Sequence, residues 1–336
     1  MNFQKIVRKN EIIWYNIIVV VIKMNSQDIT LLSVGQILGN SSESQLEVIR
    51  KYGTKAAITD LCVLTGSYLC EDTDYNIDED KSLTGRTSWF WTRSADGDNN
   101  VLAVHTSGSW GSPIYSDTRS GAVRPVLSAS VFFYQISLNR ARMGYNRTTE
   151  VEYGKYPQNA ADSKMQNILE SKYKRGGMNK TGKSYTFDSV KVDDYDTGFK
   201  PVTYEEYEYQ GKEYIRIKAN SNFGGNKFKL SNGVEYRDGD FVWVEVSPVK
   251  WLIDDRTGIL ISKKGLVSGI RFLDKRTHYK GDFDRTEMKE YLDRYMLPNL
   301  TQTVTFTRVQ NMTPEEQKQA GRRRNPYGLK LGQVSE

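Results

Sequence analysis

The sequence predicts a strand-rich α+β protein, with short mixed and antiparallel sheets and a few amphipathic helices. Twenty-one Tyr and six Trp stand against eight Pro in 336 residues, and large aromatic side chains suit a pleated, half-buried surface better than a free loop. Strand-like runs of apolar and polar residues in alternation, as at 241–246, recur between turn residues. Helical spacing shows over only a few short windows.

Taken in order, Lys5, Arg8 and Lys9 precede an apolar run from Ile12 to Ile22. The layout is that of a signal peptide, yet the run is too short to span a bilayer, and Lys23 and Met24 follow where small residues would mark cleavage. Residues 1–23 therefore stay open between an accessory segment ahead of a true start at Met24, a targeting signal and an added strand. Ile29-Thr30-Leu31-Leu32 reads as a short strand. Ser33-Val34-Gly35-Gln36 is a capping box, and Ser44-Gln45-Leu46-Glu47 repeats it with Gly53 at the C-cap position, so 33–53 is expected to be helical in two pieces. The apolar stretch from Ala56 to Leu64 suits a helix or a buried strand, and 71–80 an acidic loop. Strands are expected at 89–93, 101–105 and 123–127, with turns at Asp96-Gly97, Ser107-Gly108 and Ser120-Gly121. Periodicity then fades and Arg140, Arg142 and Arg147 accumulate. A linker over 131–150 is expected to divide residues 24–130 from a second half, 151–303.

The second half opens with an extended stretch, 151–158, read as closed by a turn. Met165, Ile168, Leu169 and Tyr173 recur at helical spacing, which predicts an amphipathic helix over 160–174 stopped by Gly176-Gly177. Gln210-Gly211 joins 205–209 to 213–218 as a hairpin, and the turn 254–258 joins 250–253 to 259–262, with a separate strand at 241–246. Asp284-Arg285-Thr286-Glu287 caps a last helix with Met288, Tyr291, Leu292, Tyr295 and Met296 on one face, ended by Pro298. The tail 304–336 holds few apolar residues and the run Arg322-Arg323-Arg324; a tether is expected, with 313–336 open to a secondary contact.

Lys and Arg number 47 against 41 Asp and Glu, a net charge of +6, with the two signs interleaved outside the tail. No RNP-like strand, zinc spacing or helix-turn-helix pattern accompanies them, which argues against nucleic acid as the partner. Cys62 and Cys70 are the only cysteines. Two thiols in a chain of this size point to a reducing compartment, hence a cytoplasmic location unless 1–23 is a signal that sends the protein to the surface or outside. With two histidines besides, no metal or other cofactor is expected, and no transmembrane span.

The segment between Trp89-Phe90-Trp91-Thr92-Arg93-Ser94 and Gly121-Ala122-Val123-Arg124-Pro125-Val126-Leu127 carries the functional expectation. It holds Asp96, Asp98, Asn99, Asn100, His105, Ser107, Ser109, Trp110, Tyr115, Asp117 and Arg119 and few aliphatic residues. So polar a run between two strand-like anchors is a surface displayed by a core. Trp and Tyr offer large contact areas at low entropy cost, while Ser, Asn and Asp adapt their hydrogen bonds, so a protein or carbohydrate ligand is expected there. The oxygen-rich spacing of Asp96, Asp98, Asn99 and Asn100 allows calcium, but Asp-Gly-Asp-Asn is also what an ordinary turn demands.

These two anchors resemble those of an uncharacterised family of bacterial and phage domains with a W-W-x-R-S strand and a terminal G-x-R-P-x-L. Tyr153-Gly154-x-Tyr156-Pro157-Gln158, Pro248-Val249-Lys250-Trp251-Leu252 and Ile261-Ser262-Lys263 are similar to another portion of the same family. The resemblance spans most of 29–300 with the halves in swapped order, and it implies one core shared between them. The family's ending is similar to C-type-lectin-like folds, including variable proteins diversified by retroelements. The resemblance thus implies a rigid scaffold, containing Arg124 and Pro125, that presents 94–120 as a non-catalytic binding surface.

Two other classes stay in view. A phage-type inhibitor or adaptor of a host protein or nucleoprotein fits the mixed charge and basic tail. Formylglycine-generating oxidases look similar near their terminal arginine strand, but they need paired reactive cysteines, whereas Cys62 and Cys70 lie in or beside apolar sequence. His105 and His278 neighbour no nucleophile motif, and no Walker, Rossmann or zincin pattern occurs.

Overall fold

The computed structural model describes residues 3–8, 11–21, 29–71, 86–97, 100–128, 150–254, 256–274, 277–300 and 303–309. Most of the acidic loop, most of the linker and the tail beyond 309 lie outside them. The chain divides into two compact units. The smaller comprises 1–23, 134–146 and 301–336 and contains a three-stranded antiparallel sheet in the order Phe3–Arg8, Glu11–Val21, Thr303–Val309. The apolar N-terminal run thus lies in a strand, and the first residues of the expected tail pair with it.

The larger unit, 24–133 with 147–300, is α+β, with mostly antiparallel sheets and few helices. Its main sheet runs Asn179–Asp188, Pro201–Tyr209, Lys212–Lys218, Phe241–Ile253, Leu260–Ser262, Val126–Leu127, Ile29–Thr30, every neighbour antiparallel. Glu150–Ala160 covers the other edge of Phe241–Ile253, so that Val246 pairs with both Glu213 and Pro157. Val126 pairs with Thr30 on one side and Ile261 on the other, which knits the two sequence halves into one sheet. A small mixed sheet repeats the connection, with Lys264–Gly265 parallel to Ala57–Ile58. Buried Asp60 adds a polar tie, accepting from the backbone N–H of Ala160 at 2.8 Å and of Ser231 at 2.9 Å and from Arg86 at 3.2 Å.

Local signals were followed where they were strong. Ser33 and Gln36 close a complete capping box on Val34–Leu38. Asp162 caps Ser163–Lys174, and Thr286 caps Glu287–Tyr291 through the Lys289 N–H. Gln210 and Gly211 turn the Pro201–Tyr209 and Lys212–Lys218 hairpin with φ of 52° and 77°, as a two-residue turn of this hand requires. The ambiguous 56–64 stretch is both things at once: a strand, Ala57–Ile58, then Thr59 capping the helix Asp60–Leu64.

Elsewhere tertiary contacts overrode the local reading. The N-cap of Glu47–Tyr52 is Leu46, with no side-chain cap from Ser44; Leu46 is 1% exposed and its N–H bonds the Gln36 carbonyl, so burial sets the start. The stretch 151–158 is not closed by a turn but continues through Ala160, bulged at 152–155 and 157–159. Gly154, with φ of 66°, lies where a Cβ would sit 2.8 Å from the Leu300 carbonyl oxygen. Pairing along that strand also joins 241–246 and 250–253 into one, Phe241–Ile253. Pro298 does not end the last helix, because the chain first loosens into a π turn at Leu292–Met296 and the proline falls at the start of a final turn, Leu297–Leu300. No helix among the described residues is long and apolar enough to cross a membrane.

Candidate functional site

The residues that frame the expected surface pack against each other. Trp91 is fully buried and meets Trp89 edge to face, ring centroids 4.8 Å apart. Gly121 lies against that pair: a Cβ there would stand 2.3 Å from the Trp89 ring and 2.8 Å from the Trp91 indole nitrogen. Arg124, 2% exposed, donates through Nε to the Ser262 carbonyl at 2.8 Å and through Nη1 to the Thr54 carbonyl at 3.1 Å, with its guanidinium 5.2 Å from the Phe90 ring centre. The W-x-W and G-x-x-R spacings are therefore packing constraints that tie the frame to the second half. Within the second half, the Trp251 indole donates to the Tyr153 carbonyl at 2.8 Å, and Gln158 Nε2 donates to the Ser247 and Pro248 carbonyls at 3.0 and 2.9 Å.

On this frame stands a three-stranded meander, Phe90–Asp96, Asn100–Val104 and Trp110–Tyr115. The third strand has no counterpart among the strands expected from sequence, and the expected 123–127 strand instead gives Val126–Leu127 to the main sheet. Register decides which side chains share a face. Tyr115 stands opposite Asn100, Pro113 opposite Leu102 and Trp110 opposite Val104. Positions 100, 102 and 104 alternate onto one face of their strand, so Trp110, Pro113 and Tyr115 form a stripe along the outer strand. Asp96, opposite Asn100, joins the same face.

That alignment depends on a bulge. Between Ala103–Ser112 and Val104–Trp110 the outer strand carries one extra residue, Gly111, with φ of 85°. In a regular ladder Gly111 would pair with Val104, and Trp110 would fall opposite His105 on the reverse face. All three stripe residues are solvent-exposed, Trp110 at 50% and Tyr115 at 71%. About four residues, or 14 Å, separate the Trp110 and Tyr115 rows.

Polar groups gather at both ends. His105 Nδ1 lies 3.3 Å from Ser107 Oγ and 3.2 Å from Thr106 Oγ1, and Ser107 Oγ lies 3.0 Å from Ser109 Oγ, in the turn leading into Trp110. His105, Ser107 and Ser109 are exposed. At the far end Asp96 is exposed and Asn100 half-buried beside Tyr115. Asp98 and Asn99 lie outside the described residues.

Two expected surface residues belong to the interior instead. Asp117 is buried, and Arg119 is fully buried in an ion pair with Asp188. The Tyr115 carbonyl accepts from the Thr118 N–H at 3.0 Å, and this turn carries the chain inward. Leu102 and Pro113, absent from the sequence reading, complete the face; a proline inside a polar strand is the local sign of an edge.

Other parts of the molecule compete weakly as sites. Cavities of about 490 and 480 Å³ open around Phe187, Tyr204 and Lys191 and around Phe199, Arg271 and Tyr295, and no residue of 94–120 lines either. Cys62 is buried, and desolvation pushes its thiol far above the ordinary range, against the weaker pull of its hydrogen bonds with Thr59. A thiol so placed is not a nucleophile. Among the described residues no three His, Cys, Asp or Glu side chains converge as a metal site would require. Compared with known families, with proteins of curated function and with solved structures, the chain matches none.

Proposed function

We propose that this protein is a non-catalytic recognition module which binds a protein or carbohydrate ligand through the outer face of the 90–115 meander. The one observation that carries the reading is the bulge at Gly111, which brings Trp110 onto the face of Pro113 and Tyr115 and leaves both aromatics exposed. Exposed aromatic side chains on a locked frame are what a binding surface needs, since little entropy is lost when they are covered. Asp96 and Asn100 at one end and the Ser107 and Ser109 turn at the other supply the hydrogen-bonding rim. The resemblance to C-type-lectin-like display scaffolds supports the same assignment, with Arg124 in the frame and the changeable residues ahead of it.

The test is a comparison of the wild type with the Trp110→Ser/Tyr115→Ser double variant in affinity capture from a native lysate of the source cells. A stoichiometric ligand recovered by the wild type and lost by the variant, at unchanged melting temperature, is the expected result. Equal recovery by both proteins would remove the stripe from consideration.

A further inference from the structure

The chemistry of the stripe narrows its ligand. Three features bear on it: how the open edge is closed to other strands, how the exposed groups are spaced, and how little charge the face carries.

The edge comes first. The His105 N–H donates to the Ser109 carbonyl at 2.7 Å, so at position 105 the backbone faces the outer strand, while the Leu102 carbonyl accepts from Thr92 on the opposite side. Backbone groups alternate in direction along a strand, so Leu102 and Pro113 form a pair without mutual hydrogen bonds, and the Pro113 backbone points away from the sheet. Pro113 has no N–H to offer an incoming strand. The middle of the open edge is thereby denied to an extended peptide that would add by backbone pairing.

The face itself is a relief. Trp110, Pro113 and Tyr115 stand in line over about 14 Å, each exposed, with hydroxyl, amide and carboxylate groups at the two ends. Across the three rows Asp96 is the one charged side chain. An exposed, nearly uncharged strip along the outer strand that alternates apolar side chains with hydrogen-bonding groups complements a straight chain of pyranose rings. Such a chain offers apolar C–H faces to aromatic rings and hydroxyls around its rim.

Resting on the reading of this face as a binding surface, we infer that the Trp110–Pro113–Tyr115 stripe takes a linear, neutral, β-1,4-linked oligosaccharide, stacked along the strand and engaged at two aromatic positions. The chain must reach from one aromatic to the other, so affinity depends on its length.

Titration calorimetry of the full chain with cellohexaose, chitohexaose and the corresponding disaccharides tests this. Saturable binding of at least one hexasaccharide is expected, weaker by about tenfold or more for its disaccharide and for each of Trp110→Ser and Tyr115→Ser, a loss of about 1.4 kcal/mol per factor of ten. Absence of saturable binding by both hexasaccharides, equal affinity for the two lengths, or binding that survives both substitutions overturns the inference. Recovery of a protein ligand that the double variant loses, with neither hexasaccharide bound, overturns the ligand class and leaves the binding surface standing.

Discussion

Arg119 and Asp188, one from each half of the sequence, form an ion pair whose side chains are both fully withdrawn from solvent. The guanidinium also donates to the carbonyls of Asp194 at 3.3 Å, of Gly269 at 3.4 Å and of Thr197, while the carboxylate accepts the Val190 and Lys200 N–H groups at 3.0 Å each. A buried charge is tolerated when it is met in this way and is costly when stranded. Arg119→Met should therefore lower stability by about 3–5 kcal/mol, because it leaves Asp188 without its counter-charge. Urea unfolding gives the measurement. The double variant Arg119→Met/Asp188→Leu should recover part of the loss, and a single variant as stable as the wild type contradicts the pairing.

Trp251 tests the core of the main sheet. It is fully buried, its strand pairs with Glu150–Ala160 on one side and Leu260–Ser262 on the other, and its indole N–H is bonded to the Tyr153 carbonyl. Trp251→Ala should cost about 3–5 kcal/mol by opening a cavity at that junction. An unchanged melting temperature would show that the side chain lies elsewhere.

Gly111 governs which way Trp110 faces. A β-branched residue resists φ of 85°, so Gly111→Val should favour the regular ladder and turn Trp110 to the reverse face. Deleting Gly111 removes the extra residue but keeps Trp110 opposite Val104, on the exposed face. Oxidative footprinting read by mass spectrometry should find Trp110 protected in Gly111→Val and modified as in the wild type in the deletion. Equal modification in all three proteins would count against the bulge as the orienting device.

How much of this was legible beforehand follows from the range of each interaction. The capping box at Ser33, the helix with Asp162 as its cap and the Gln210-Gly211 hairpin are written in residues a few positions apart, and they stand in the sequence plainly. The fate of Arg119 is not, since its partner lies 69 positions away and polar residues otherwise read as surface. Trp110 and Tyr115 stand out by their chemistry, but their common face does not: they differ by five positions, which in a regular strand means opposite faces. Only the bulge reverses that parity, and Gly111 beside a tryptophan gives no local notice of it.

Pro113 keeps the open edge of the meander from pairing. Pro113→Val restores a backbone N–H that points outward at the centre of an exposed strand. Sedimentation velocity over a range of concentrations should show the variant shifted toward dimers relative to the wild type, through edge-to-edge pairing of two copies. Identical sedimentation of the two proteins would mean that the proline is not what closes the edge.

Glu170 links acid stability to the packing of the helix Ser163–Lys174 on the main sheet. Arg216 donates to its carboxylate through Nε at 2.8 Å and Nη2 at 2.9 Å, and the Trp243 indole adds a bond at 3.1 Å, while the guanidinium lies 3.6 Å from the Phe241 ring centre. The Arg216 hydrogen bonds, opposed by partial burial and aided by Trp243, hold the carboxyl at about 2 in place of its ordinary 4.5. A carboxyl depressed on folding stabilises the protein fully above its unfolded value and ceases to as pH falls through its folded one. Solvent screening of a side chain 26% exposed trims the effect to about 1–2 kcal/mol at neutral pH. Glu170→Gln should therefore unfold at lower urea than the wild type at pH 7, with the gap closing between about pH 4.5 and 2. A gap that stays constant across that range would mean the carboxylate's charge contributes nothing to holding the helix on the sheet.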